Sequence, residues 1–125
     1  GSATLRQRGN KLTLAFATTE LFPTGDAAVT LGGTSLLERI GAVLHGFRYQ
    51  NIEVAGHTDN EGELDRNQRL SDRRANSVRD YLVRVGVPEA SLRAVGYGQA
   101  NPKVPNDTPA NMALNRRIEF SVKVK

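Results

Sequence analysis

From Asn115 to Lys125 the chain alternates with a period of two. Arg116, Ile118, Phe120, Val122 and Val124 share one parity; Arg117, Glu119, Ser121, Lys123 and Lys125 share the other. Successive side chains leave a strand on opposite faces, so this segment is predicted to have one apolar face and one wet face. A sheet built from such strands needs a cover for its apolar face, which limits the possible folds to a few layered arrangements.

The rest of the chain supplies both more strands and the cover. Lys11 to Ala17 alternates, with Leu12, Leu14 and Phe16 on one side. Asn51 to Gly56, carrying Ile52 and Val54, and Leu92 to Tyr97 read as two further strands. Between them, Leu36, Leu37, Ile40, Val43, Leu44 and Phe47 recur at three- and four-residue steps. That is an apolar helical stripe. The helix is expected to begin between Leu31 and Ser35, with Ser35 and Glu38 as a capping box and Gly46 near its end. A longer helix is expected from Leu64 to Val85, buried through Leu70, Ala75, Val78, Leu82 and Val85. Gly86 suits the position that ends it. Pro88-Glu89 reads as a short helical turn, and Gly98 to Ala113, with Pro102, Pro105 and Pro109, as a loop. The order predicts an α/β fold: a two-layer β-α-β-α-β-β sandwich, a mixed sheet with helices on one face.

At 125 residues the chain is long enough for one domain with one modest core. Gly1-Ser2 reads as a tag remnant and residues 1–9 as a flexible lead-in, with the domain over residues 10–125. No apolar run approaches the roughly 20 residues that span a bilayer. There is no cysteine, which excludes disulfides, thiolate metal sites and cysteine nucleophiles. A net charge of +4 suits an anionic partner, but seven aromatics without a Trp argue against single-strand nucleic-acid binding by stacking.

Chemistry concentrates in Gly56-His57-Thr58-Asp59-Asn60 and Asn67-Gln68-Arg69-Leu70-Ser71-Asp72-Arg73-Arg74-Ala75. The first sets a carboxylate, Asp59, at the end of a strand; the second sets a guanidinium, Arg74, on the long helix. Asn67, Leu70, Ser71 and Arg74 stand at i, i+3, i+4 and i+7, one stripe offering an amide, a methyl surface, a hydroxyl and a cation. Arg forks onto a carboxylate with two parallel bonds, as Lys does not. A fixed anion beside a fixed cation would suit a zwitterion such as an amino-acid head. From spacing alone, the same two charges could instead close on each other as a salt bridge between loop and helix. Arg116, of inward parity at the mouth of the last strand, either lines a site or seals the sheet end.

Other chemistries are poorly served. His57 and Asp59 could share a strand face, but the one other histidine, His45, lies in the first helix and no third ligand is sensibly spaced. The acidic run from Asp59 to Asp65 lacks the glycine at the sixth position of a calcium loop. No Gly-x-Ser-x-Gly elbow exposes a nucleophile. These patterns predict no enzyme, metal or cofactor.

A longer series runs through the chain in order. It includes Leu21-Phe22-Pro23-Thr24-Gly25, Ile52 to Asp59, Asn67 to Ser71, Arg74-Ala75, Val78 and Tyr81-Leu82. It continues with Gly86-Val87, Gly96-Tyr97-Gly98, Asn101-Pro102 and Asn115-Arg116-Arg117-Ile118-Glu119. This series resembles the OmpA-like C-terminal domain family, the peptidoglycan-binding module of outer-membrane proteins, peptidoglycan-associated lipoproteins and flagellar stator subunits. The resemblance implies non-covalent binding of peptidoglycan through the diaminopimelate of its stem peptide. It assigns the ammonium to Asp59 and the carboxylate to Arg74, with Asn67 and Arg116 completing the contacts. Thr58, Leu70 and the Leu21-Phe22-Pro23-Thr24 turn are expected to line the pocket. It further implies a periplasmic domain of a membrane-anchored parent in a Gram-negative envelope, with no nucleic-acid partner. A dimerising module of a motor or secretion complex is the alternative. Many relatives carry Gly-Arg where this chain has Asn111-Met112, so the loop from Lys103 to Leu114 is expected to give a different rim.

Overall fold

The computed structural model describes residues 3–45 and 51–123. Its elements are β1 (Thr4–Arg8), β2 (Lys11–Ala17), α1 (Leu31–His45), β3 (Ile52–His57), α2 (Leu64–Arg84), β4 (Leu92–Gly98), α3 (Pro109–Asn115) and β5 (Arg117–Lys123), with single 3-10 turns at Thr18–Glu20 and Glu89–Ser91. Gly1-Ser2, Gly46, Phe47, Val124 and Lys125, for which the sequence carries expectations, lie outside the described residues.

The sheet order is β1-β2-β5-β3-β4. β3 and β4 are parallel, joined through α2; the other neighbours are antiparallel. Central β5 sets Ile118, Phe120 and Val122 opposite Phe16, Leu14 and Leu12 on one side and Gly56, Val54 and Ile52 on the other. Phe16, Ile52, Val54, Ile118, Phe120 and Val122 form one core with Leu37, Ile40 and Leu44 of α1 and Ala75, Val78 and Leu82 of α2, and Leu14 packs against it. Both long helices cover the same face, so the two-layer mixed sandwich expected from the periodicities is the fold adopted.

α2 lies unusually close to β3 and β4. A Cβ at Gly56 would meet the Ser71 carbonyl oxygen at 2.5 Å, and one at Gly96 would strike the backbone of Asp72. The helix is also hydrogen-bonded to the strands. Gln68 Nε2 donates to the Gly96 carbonyl at 2.6 Å, Gly96 N–H donates to Asp72 at 3.0 Å, and Gly98 N–H donates to Ser71 Oγ at 2.9 Å. At its far end, Val87 N–H reaches the Leu82 carbonyl and Gly86 N–H the Val83 carbonyl, with Gly86 at φ 110°. This is a Schellman ending, and only glycine adopts that φ without strain.

Several local expectations are corrected. The lead-in contains a strand: β1 pairs along its length with β2 through the two-residue loop Gly9-Asn10, with Gly9 at φ 59°. All five residues of β1 are exposed, so backbone bonds rather than an apolar pattern hold it. α1 is capped by Thr30, whose Oγ1 accepts from Gly33 N–H at 3.0 Å, not by Ser35. Glu38 instead accepts from the Tyr81 hydroxyl. Val43, expected in the stripe, is 61% exposed. The proline-rich segment contains α3, begun by Thr108 accepting from Asn111 N–H at 3.1 Å with Pro109 in the first turn.

The second sheet face is not simply wet. Arg117 is only 6% exposed. Its Nε donates to Glu119 at 2.5 Å, and its terminal nitrogens donate to the Asn115 and Asn101 carbonyls at 3.2 and 3.1 Å. His57 stacks on Tyr97 with centroids 5.2 Å apart, and the Tyr97 hydroxyl donates to Glu53. Small residues explain this burial: Thr13, Ala15 and Ala55 let longer neighbours fold over the sheet. Burial, then the Arg117 charge, lowers the His57 pKa to about 4. Burial alone would raise the Glu119 carboxyl, but the Arg117 hydrogen bond and charge outweigh it and hold the pKa below its ordinary value.

Candidate functional site

At the end of β3, where the strand passes into the loop before α2, a cleft of about 120 Å³ opens. Asp59, Arg74, Asn67, Arg116, Thr58, Leu70, Phe22 and Thr24 all line it. Thr18, Thr19, Pro23 and Gly25, from the turn between β2 and α1, complete the wall. Sequence reasoning did not assign a site role to Thr18, Thr19 or Gly25, because a polar turn has no periodicity to aim its side chains.

Asp59 is buried, and its carboxylate is oriented from two sides. Oδ1 accepts from Glu61 N–H at 3.0 Å and Oδ2 from Arg116 Nη1 at 2.5 Å. The Thr58 hydroxyl donates to the Asp59 carbonyl at 2.8 Å. The salt bridge that spacing allowed between Asp59 and Arg74 is not the one formed. The carboxylate pairs with Arg116, on the first residue after α3.

Arg74 is held by neutral groups. Nε donates to the Asp26 carbonyl at 2.8 Å and Nη2 to the Pro23 carbonyl at 3.3 Å, while the guanidinium carbon sits 5.2 Å from the centre of the Phe22 ring. Among the described residues no carboxylate lies in ion-pair contact with it. Burial, opposed by Asp26 and aided by Arg73, lowers its pKa from the ordinary arginine value. An arginine nevertheless remains charged. The cleft therefore holds two guanidiniums and one carboxylate, a net positive site with one cation lacking an acid.

The stripe on α2 divides its labour. Asn67 Nδ2 donates to the Glu61 carbonyl at 2.8 Å and to Gln99 Oε1 at 3.1 Å. Its amide N–H groups thus organise the loop carrying Asp59. Ser71, whose hydroxyl was expected to face a ligand, is buried at the joint with β4, accepting from Gly98 and donating to the Gln68 carbonyl. The segment from Asn67 to Arg74 therefore builds the cleft with one set of residues and clamps α2 to the sheet with the other.

Asn115-Arg116-Arg117 is divided the same way. Asn115 is fully buried; Oδ1 accepts from Lys103 and Val104 N–H at 2.8 and 3.1 Å, and Nδ2 donates to the Val104 carbonyl and Asn106 Oδ1, both at 2.8 Å. Arg117 ties Asn101 to the sheet. The outer two residues fix the loop and strand start, and the middle one reaches the cleft. These positioning roles were not read from the sequence, since a buried Asn and a solvated Asn look alike there.

Among the described residues, a five-stranded mixed sheet with two helices on one face and a charged cleft at one sheet end define a small α/β domain. The model of the OmpA family matches residues 21–116, and the chain belongs to that family. It is 49% identical over 75 residues to outer membrane porin F of Pseudomonas fluorescens, which covers 60% of this chain and 23% of the porin. It is 39% identical over 87 residues to the peptidoglycan-binding protein ArfA of Mycobacterium bovis, covering 70% of this chain and 27% of that protein. The chain thus spans about a quarter of the length of these relatives. Among solved structures, the cell wall anchor of the T6SS from Pseudomonas aeruginosa superposes with a TM-score of 0.89 at 27% identity, over 98% of this chain and 88% of that one. Among the described residues no helix is long and apolar enough to cross a membrane.

Proposed function

We propose that this domain binds peptidoglycan non-covalently, taking the diaminopimelate head of a stem peptide into the cleft and so anchoring an envelope protein to the wall from the periplasm. The observation that carries the reading is Arg74: a buried guanidinium fixed by two carbonyls, without an ion-paired acid among the described residues, in the same cleft as the carboxylate of Asp59. Arg74 takes the ligand carboxylate, and Asp59 takes the ammonium in exchange for Arg116. The relative named for peptidoglycan binding and the solved wall anchor support the coarser part of this reading, attachment to the wall polymer.

The action is binding alone, with no bond made or broken. Charge-assisted hydrogen bonds net roughly 1.5–3 kcal/mol each. A few of them, less ordering costs, give micromolar to millimolar affinity, about −8 to −4 kcal/mol, for a small fragment. Many copies acting together hold two surfaces far more firmly.

The test is calorimetric titration with two soluble muropeptides, one carrying diaminopimelate and one carrying lysine. Lysine keeps the ammonium and lacks the side-chain carboxylate. The wild type is expected to prefer diaminopimelate, and Asp59→Ala and Arg74→Ala to lose that binding. Equal affinity for the two muropeptides, or unchanged binding in both variants, overturns the assignment.

A further inference from the structure

Arg66, Arg69 and Arg73 stand at i, i+3 and i+7 on α2, and all three are exposed. Each immediately precedes a cleft residue: Asn67, Leu70 and Arg74. Since the helix turns about 100° per residue, the three arginines form a stripe adjoining the one that lines the cleft. At about 1.5 Å rise per residue the stripe runs roughly 10 Å along the helix axis. Both of its ends are tied to the site. Arg66 Nη1 lies 4.0 Å from where a Cβ at Gly62 would stand, in the loop carrying Asp59. At the other end, the charge of Arg73 is felt at Arg74.

Among the described residues none of the three arginines is in an ion pair. Of the three acids on α2, Asp72 is bonded to Gly96 N–H and Gln68 and Asp80 to Arg79, while Asp65 stands four positions before Arg69 without closing an ion pair on it among the described residues. With one acid, Asp65, at its N-terminal end, the face sets three like charges beside a cleft that is already net positive.

We propose that Arg66, Arg69 and Arg73 form a second binding surface, continuous with the cleft, for the carboxylates of neighbouring stem peptides in the same wall polymer. The inference rests on the peptidoglycan reading above. It explains how a cleft large enough for one amino-acid head gains further hold on a cross-linked polymer: the cleft selects the head, and the stripe adds charge contacts that only an extended ligand reaches. Arginine suits this role because its fork meets a carboxylate with two parallel bonds.

The experiment compares the wild type with the triple variant Arg66→Gln, Arg69→Gln, Arg73→Gln. The probes are a soluble diaminopimelate muropeptide and cross-linked peptidoglycan sacculi, each at low and high salt. A charge-matched control carries Arg6→Gln, Arg8→Gln and Arg39→Gln on β1 and α1, which contribute nothing to the cleft lining. The stripe variant is expected to keep its muropeptide affinity, to bind sacculi roughly tenfold more weakly, and to show a flatter salt dependence. Unchanged sacculus binding overturns the stripe alone, as does an equal loss in the control, which would mark a net-charge effect. Loss of binding to phosphatidylglycerol vesicles with sacculus binding intact also overturns it, assigning the stripe to a membrane surface. A wild type that binds no muropeptide overturns the cleft reading instead.

Discussion

Arg116 donates to Asp59 at 2.5 Å across the cleft, while Arg74, the cation that the sequence sets fifteen positions after that acid, is held by the carbonyls of Asp26 and Pro23. The Asp59–Arg116 pair is half in water, with side-chain exposures of 9% and 42%, so it contributes at most about 1 kcal/mol to stability. Its effect falls on the ligand, because an incoming ammonium competes with Arg116 for Asp59. Arg116→Gln is therefore expected to leave thermal stability nearly unchanged and to raise the affinity for diaminopimelate and lysine muropeptides alike, since both bring an ammonium that no longer has to displace a cation from Asp59. Unchanged affinity for both would show that Arg116 does not compete.

Arg74 has a structural duty as well. Its two bonds to the turn at Pro23 and Asp26 and its place over Phe22 hold the cleft wall against α2. Arg74→Ala is expected to cost about 1–3 kcal/mol in urea denaturation, by removing two partly buried hydrogen bonds that net about 0.5–1.5 kcal/mol each. Binding assays on this variant therefore belong at a temperature where circular dichroism shows it folded. Full wild-type stability would mean that the turn does not depend on Arg74.

Asn115 makes four hydrogen bonds from a fully buried side chain. Asn115→Ala strands the Lys103 and Val104 N–H groups and is expected to destabilise by about 2–4 kcal/mol. Asn115→Asp keeps the acceptor that those two donors use and should recover part of the loss. If both variants denature with the wild-type midpoint, Asn115 does not organise this loop.

Gly56→Ala tests the close approach of α2 to β3. The added methyl has a backbone oxygen, rather than a flexible side chain, 2.5 Å away. Overpacking of this kind costs about 1–3 kcal/mol. A crystal structure of the variant should show α2 displaced from β3, with Asp59 and Arg74 shifted relative to each other. An unmoved helix at full stability would refute the account.

The His57 network predicts an acid limit. His57 is held neutral with its pKa lowered to about 4, while the unfolded chain takes a proton near the ordinary value of 6.5. Between those values the unfolded state binds more protons, so stability falls with falling pH, by no more than about 1.4 kcal/mol per pH unit from this group. The Glu119 carboxyl, lowered by Arg117, acts in the same direction below its unfolded pKa. His57→Phe should lose part of the fall between pH 6.5 and 4, measured by urea denaturation across that range. An identical pH profile would remove His57 from the explanation.

Strand and helix periods were legible in the sequence because they are properties of neighbouring residues. The alternation through Ile118, Phe120 and Val122, and the stripe of Ala75, Val78 and Leu82, each required one buried face, and the tertiary structure buries those faces. β1 escaped because an edge strand held only by backbone bonds leaves no apolar pattern. α3 escaped because three prolines outweighed the cap signal of Thr108 and Pro109. Arg117 was placed on the wet face because charge suggests solvent, and only the small residues around it show otherwise.

The amino-acid order alone determined which side chains gather at the end of β3: a fixed strand-to-helix connection and a helical repeat carry Asp59, Asn67, Leu70 and Arg74 to one place. Only the tertiary structure decided how those charges are shared. Asp59 and Arg116 are 57 positions apart, and nothing local couples them. Their pairing follows from the seat of β5 beside β3 and from the bonds of Asn115 and Arg117, which aim the intervening arginine. Charge pairing depends on the distance between elements, and that distance exists only once the core has closed.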